Sequence, residues 1–174
     1  ETVEAKGSYT DAGASASDTL DGTLTATSVS TVNTEAVGSY SVTYSVSDAN
    51  GNAADTVTRT VTVVDTTKPE ITLVGSAEET VEAKGSYTDA GASASDTLDG
   101  SLSVNSVSSV NTEAVGSYSV IYSVSDANGN AAEPVTRTVT VVDTTKPEIT
   151  LVGSAEETVE AKGSYTDAGA SASD

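Results

Sequence analysis

The sequence contains no cysteine, histidine, phenylalanine, tryptophan or methionine. Without cysteine the chain forms no disulfide, and without cysteine or histidine it lacks the usual ligands of structural zinc, although small domains often depend on such cross-links. Without histidine, a serine or threonine nucleophile lacks its usual general base. The only aromatic side chains are seven tyrosines, which lie in or beside predicted strands. The loops therefore have no aromatic side chain on which a sugar ring could stack. We therefore expect no enzymatic activity.

Basic residues are also scarce. The chain has 7 lysine and arginine residues against 26 aspartate and glutamate residues, and its net charge is -19. A phosphate-binding surface needs clustered cations, so we expect no nucleic-acid partner. No apolar run approaches the roughly 18 residues of a membrane span, and neither end resembles a signal peptide. The acidity fits a solvated, self-repelling surface, cation binding, or both.

The dominant feature of the sequence is a repeat. Residues Glu1–Gly22 recur unchanged at Glu79–Gly100, and their first eighteen residues recur at Glu157–Asp174, an offset of 78 both times. Residues 1–78 and 79–156 differ at eight positions. A fixed period indicates that each copy is one structural unit. Because both ends fall inside the repeat, we expect part of a longer secreted array of domains arranged as beads on a string.

Alternating residues predict antiparallel strands. In Ser39–Asp48, two tyrosines and two valines occupy one face and serine and threonine the other, which is typical of a half-buried strand. Asn50-Gly51 follows and predicts a hairpin turn. The return strand, residues 56–65, places Arg59 on the same face as its valines. Either a bulge shifts the phase of this strand, or Arg59 caps the rim of the core beside a carboxylate.

The remaining strands and the domain boundaries follow from similar patterns. Ala12, Ala14 and Ala16 are predicted to face inward from a closely packed strand. The segment Asp65–Pro69 contains no apolar residue before its proline and predicts the joint between units. The predicted domains are residues 1–65, lacking a first strand, a complete unit at 66–143, and the N-terminal part of a third at 144–174. Strands of the complete unit are predicted near 70–75, 80–84, 86–95, 101–107, 117–125 and 133–142. This number of short strands predicts an all-β antiparallel two-sheet sandwich.

Three segments carry a resemblance to a known family. DTTKPEITLVG, TDAGASASDTLDG and VGSYSVTYSVSDANGNAA resemble the Ig-like tandem repeats of bacterial surface proteins, which are related to the hyalin-type repeat. The resemblance implies Ig-like sandwiches and an extracellular or bacterial cell-surface location. It also implies tandem modules of large adhesins and other cell-surface proteins.

A calcium site is the sharpest functional hypothesis. In an Ig-like sandwich, the loop between the second and third strands shares a pole with the final hairpin, and the chain enters at that pole. We expect oxygen ligands to converge there from five residues: Asp65, Asp96, Asp99, Asp126 and Asn128. A hard cation that takes six to eight oxygens could bind them. The alternative is that these residues only hydrogen-bond the backbone of their own turns.

The lysines of the TVEAKG segment pose a smaller question. Lys6, Lys84 or Lys162 could form an isopeptide cross-link to asparagine. The alternative places each lysine on the same outward strand face as Glu4 or Glu82, where it is only a solvated charge.

Taken together, these patterns favour a structural role. We expect a non-catalytic extender module of an adhesin stalk or extracellular fibre, whose partners are neighbouring repeats, with head-to-tail assembly as one arrangement. The alternative function is binding of a glycan or protein ligand through polar loops.

Overall fold

The computed structural model describes residues 1–174 and contains no helix, so no segment forms a helix long and apolar enough to cross a membrane. Threonine, valine, serine and tyrosine dominate the sequence and favour extended backbone. The chain accordingly forms fifteen strands. They are β1 (Thr2–Glu4), β2 (Ser15–Asp18), β3 (Gly22–Thr25), β4 (Thr27–Ser30), β5 (Gly38–Ser45), β6 (Val57–Val64), β7 (Glu70–Leu73), β8 (Glu78–Glu82), β9 (Ala92–Asp96), β10 (Gly100–Leu102), β11 (Asn105–Ser108), β12 (Gly116–Ser123), β13 (Val135–Val142), β14 (Glu148–Leu151) and β15 (Ala170–Ser173).

Residues 66–143 form the unit that we call the second repeat. Its strands β7 to β13 form two sheets. One sheet has the order β11-β12-β13-β8 and the other β10-β9-β7. All pairs are antiparallel except β8 with β13, which runs parallel from Glu78 opposite Thr138 to Glu82 opposite Val142. The prediction of an all-β Ig-like fold is confirmed.

The core of the second repeat lies between these sheets. Alternation places Val120 and Tyr122 of β12 on the inner face, each 1% exposed. They pack in one cluster with Ile71 of β7 and Ala94 of β9. Burial of these side chains is the main source of stability, because each fully buried apolar side chain contributes about 1.5–3 kcal/mol.

Two of the predicted strands differ from the structure. Residues 86–91 form no strand, and Ala90 is exposed. In the first copy, Ala12 and Ala14 are exposed, contrary to the prediction that they face inward. Side-chain hydrogen bonds hold residues 86–91 in place of backbone strand pairing, because Asp89 accepts hydrogen bonds from Tyr87 and Tyr122. The predicted strand at 101–107 is two strands in different sheets: β10 pairs with β9, whereas β11 pairs with β12.

In the second repeat, the arginine of the return strand, Arg137, lies inside the core. The β12–β13 register is continuous and places Val120 opposite Arg137, so no bulge shifts the phase. Arg137 is 0% exposed, forms an ion pair with Asp89, and lies 3.5 Å from a Glu79 carboxylate oxygen. Its guanidinium also donates hydrogen bonds to backbone carbonyls of Val74, Ser76 and Gly91. At Arg59 the register is also continuous, and the side chain is 24% exposed beside Glu1 and Asp11, so the prediction that Arg59 caps the rim beside a carboxylate is correct. Its counterpart Arg137 lies deeper and is fully buried.

The other two repeats contain fewer strands. The first repeat (residues 1–65) has the sheets β1-β6-β5-β4 and β2-β3, and the third repeat (residues 144–174) has only β14 and β15. Val57, which the alternation predicts to face inward, is 64% exposed. Its counterpart Val135 packs on the core cluster that contains Ile71. Strand β7 therefore helps to bury Val135, whereas no equivalent strand covers Val57 in this chain.

Candidate functional site

The candidate site lies where the chain enters the second repeat. Three segments meet there: Asp65 directly follows β6, Asp96 ends β9, and Asp126 precedes the turn between β12 and β13. Two of these segments are tight turns whose geometry the sequence dictates, and the third is the linker between repeats.

An aspartate organises the turn between β9 and β10. One carboxylate oxygen of Asp96, Oδ1, accepts hydrogen bonds from the backbone N–H of Leu98 at 2.7 Å and of Asp99 at 3.1 Å. Gly100 closes this turn with φ +72°, a conformation that glycine adopts without strain. Asp96 is thereby held in one orientation at the end of its strand.

The hairpin between β12 and β13 is organised in the same way. Asp126 Oδ1 accepts hydrogen bonds from the backbone N–H of Asn128 at 2.9 Å and of Asn130 at 2.8 Å, while Asn130 Nδ2 donates to Asp126 Oδ2 at 2.7 Å. Burial alone would raise the pKa of Asp126, but these hydrogen bonds lower it below its ordinary value. These hydrogen bonds therefore favour the ionised form of Asp126.

The structure brings the predicted residues together. One carboxylate oxygen from each of Asp65, Asp96 and Asp126 lies within 4.8 Å of the other two. The exposed fractions of these residues are 9%, 8% and 8%. Asp99 and Asn128 take supporting positions: Asp99 accepts the backbone N–H of Ala127 at 2.8 Å, and Asn128 Nδ2 donates to Asp65 Oδ2 at 2.8 Å.

One oxygen of the cluster has no hydrogen-bond partner. Asp96 Oδ2 is the only buried side-chain oxygen or nitrogen in the structure without one. None of the six ion pairs in the chain includes Asp65, Asp96 or Asp126. The cluster is therefore a set of buried oxygen acceptors without a protein cation, and its donor chemistry suits a hard cation.

Sequence reasoning missed two elements of this junction. Asn130 donates a side-chain hydrogen bond to the backbone carbonyl of Asp65 at 3.1 Å, and its place in the DANGN turn was the available signal. Glu4 accepts backbone hydrogen bonds from Thr66 at 2.7 Å and Thr67 at 3.1 Å. These bonds and those from the two threonine hydroxyls lower the pKa of Glu4. The partners are separated by about sixty residues, so no local pattern indicates the contact.

The lysines of the TVEAKG segments are not on strand faces, contrary to the expectation of an outward strand position. Lys6, Lys84 and Lys162 follow their glutamates in a turn and have φ values of 61°, 59° and 65°. Lys6 forms an ion pair with Glu35.

Partial versions of the site occur in the other repeats. In the first repeat, Asp18 and Asp48 make the same turn hydrogen bonds as Asp96 and Asp126, without a linker carboxylate beside them in this chain. At the next junction, Asp143 and Asp174, the counterparts of Asp65 and Asp96, line one pocket. Within residues 1–174, the junction before the second repeat is the one that includes all three carboxylates.

Comparison with known proteins places the chain in a family. Residues 1–63 and 71–141 match the family described as bacterial surface protein, Ig-like domain. A search of curated proteins found no match. Similar solved structures include a lipoprotein from Bacteroides thetaiotaomicron, with 25% identity, a TM-score of 0.40 and coverage of 45% of this chain and 39% of that one. Another is ZmpB from Clostridium perfringens with its catalytic and two CBM51 domains, with 14% identity, a TM-score of 0.38 and coverage of 75% of this chain and 30% of that one. The chain thus spans less than half the length of either structure. The family match covers most of the sequence, and the chain belongs to the bacterial surface protein Ig-like domain family.

Proposed function

We propose that these repeats are non-catalytic extender modules of a secreted bacterial surface protein. In this role they hold another domain away from the cell or form an extracellular fibre, and their partners are neighbouring repeats. Membership of a surface-protein family supports this location. The observation that carries the proposal is the joint between the first and second repeats, where both neighbours bind the linker.

The linker is fastened on its N-terminal side by the first repeat. Glu4 accepts hydrogen bonds from both the backbone and the hydroxyl groups of Thr66 and Thr67. Glu82 accepts the same four bonds from Thr144 and Thr145 at the next joint. The arrangement is therefore a property of the repeat.

The second repeat fastens the linker from the other side. Asn128 and Asn130 donate hydrogen bonds to Asp65, and Lys68 forms an ion pair of 2.7 Å with Glu133. Pro69 fixes its own φ and restricts the residue before it. A linker held by both neighbours favours a fixed, extended joint over a flexible tether. The net charge of -19 opposes side-by-side packing of repeats.

Small-angle X-ray scattering on proteins with two, four and six repeats tests this function. Because strands of about ten residues rise ~3.3 Å per residue, each repeat with its linker should add about 35–45 Å to the maximum dimension. A matched series in which residues 65–69 are replaced by glycine and serine should lose this linear growth. A maximum dimension of the natural series that grows only as a compact globule, with roughly the 0.38 power of length, would overturn the proposal.

A further inference from the structure

The three carboxylates at the junction repel one another and have no protein counter-charge. Each belongs to a residue that is at most 9% exposed, and one oxygen from each lies within 4.8 Å of the other two. Like charges at this separation destabilise a partly desolvated site unless a cation or a shared proton compensates them. The one basic residue of the linker, Lys68, forms its ion pair with Glu133 instead.

Asp96 supplies an independent observation. Its Oδ1 atom satisfies the β9–β10 turn, but its Oδ2 atom is buried and accepts no hydrogen bond. A buried oxygen without a donor is costly, and such groups are rare in folded proteins. A turn role alone accounts for Oδ1 and leaves Oδ2 unexplained. A cation bound at Oδ2 would supply the missing partner.

We propose that Asp65, Asp96 and Asp126 bind a calcium ion between the linker and the two turns of the second repeat. The donors are carboxylate oxygens, which suit a hard cation, and the flexible coordination of calcium tolerates an irregular set completed by water. Asn128 and Asn130 hold Asp65 and Asp126 in place and act as positioning residues.

The site needs contributions from two successive units of the array. Asp96 and Asp126 belong to the second repeat, whereas Asp65 arrives on the segment that leaves β6 of the first. The bound ion therefore ties the linker to the repeat that follows it and restricts the joint. This last consequence rests on the proposed extender function, but binding itself does not.

Titration of the full chain with calcium chloride, followed by amide NMR spectra at constant ionic strength, tests the proposal. Amides of residues 96–100 and 126–130 should shift in a saturable way, with a dissociation constant of about 10⁻⁴ to 10⁻³ M, as in extracellular calcium modules. The identical turns at Asp18 and Asp48, which lack the linker carboxylate in this chain, should not shift over the same range.

Asp65→Asn and Asp143→Asn provide a matched pair of variants. Both lie in linkers rather than inside a sandwich, so both should fold. Asp65→Asn should weaken calcium binding by at least about tenfold, whereas Asp143→Asn should leave it unchanged. The proposal is overturned by the absence of saturable shifts, by equal shifts at Asp18 and Asp48, or by unchanged binding in Asp65→Asn. If calcium does not bind but the maximum dimension grows linearly with repeat number, the calcium site is wrong and the extender function stands. If calcium binds but the maximum dimension does not grow linearly, the extender function is wrong and the calcium site stands.

Discussion

Replacement of Arg137 by methionine should destabilise the second repeat far more than the matched replacement of Arg59 destabilises the first. Methionine keeps much of the apolar stem but removes every donor. In Arg137→Met, the carboxylates of Asp89 and Glu79 lose their cation, and the carbonyls of Val74, Ser76 and Gly91 lose a donor. Loss of one partner of a buried ion pair costs about 3–5 kcal/mol.

The cost at Arg59 is smaller because its surroundings are wetter. Its side chain is 24% exposed, and it pairs with Glu1 at 3.0 Å and Asp11 at 3.4 Å. A solvated pair of this kind contributes about 1 kcal/mol. Both arginines lie over a tyrosine ring at nearly the same distance, 5.7 Å for Arg59 and 5.8 Å for Arg137, so this contact cancels in the comparison. The expected difference is therefore about 2–4 kcal/mol.

Hydrogen exchange with mass spectrometry in increasing urea measures the two repeats separately. Peptides that span β5 and β12 differ in mass because Ile121 replaces Thr43. For a unit of this size, whose total stability is about 4–12 kcal/mol, Arg137→Met should move the unfolding midpoint of the β12 peptide strongly and leave the β5 peptide unchanged. A loss below about 1 kcal/mol, or equal losses in the two variants, would refute the assignment of Arg137 as a buried structural ion.

Two further predictions concern the second repeat. Burial and the hydrogen bond to Asp89 raise the pKa of Tyr122 to about 12. Since the folded state holds this proton more tightly than the unfolded state, the free energy of unfolding should be constant up to about pH 10 and fall between about pH 10 and 12. Urea titrations that show no decline in this window would contradict the prediction. Gly129 has φ +92°, and a Cβ atom at this position would meet no other atom within 4 Å. Chemical denaturation should therefore show that Gly129→Ala destabilises the hairpin by about 1 kcal/mol through backbone strain alone. A neutral result would contradict this and show that the turn relaxes.

The sequence predicts those parts of the fold that depend on local pattern. Alternating residues identify β12, and Asn128-Gly129 identifies the turn after it, because side-chain facing and turn type depend on neighbouring residues. The strand prediction for segment 86–91 is wrong because Ala90 continues the spacing of Ala92 and Ala94, whereas only those two lie in a strand, β9. The path of segment 86–91 depends instead on Asp89, whose partners Tyr122 and Arg137 are distant in sequence.

The candidate site shows the same division. Asp96, Asp126 and Asp65 could be predicted to share a pole, because the sandwich topology places their turns and the linker there. The unpartnered oxygen of Asp96 could not, since it depends on the exact orientation of one carboxylate. The contact of Glu4 with the linker also escaped prediction, because it joins residues with no pattern in common.

The parallel pairing of β8 with β13 determines how a repeat responds to mechanical tension. Force that enters through the N-terminal linker passes through β7 before it reaches β8, and force that leaves through the C-terminal linker leaves from β13. Because these strands are neighbours and run in the same direction, pulling on the two ends slides one strand along the other. The hydrogen bonds from Glu78 to Glu82 are then loaded in shear and must break together, whereas an antiparallel pair opened from its end would release them one at a time.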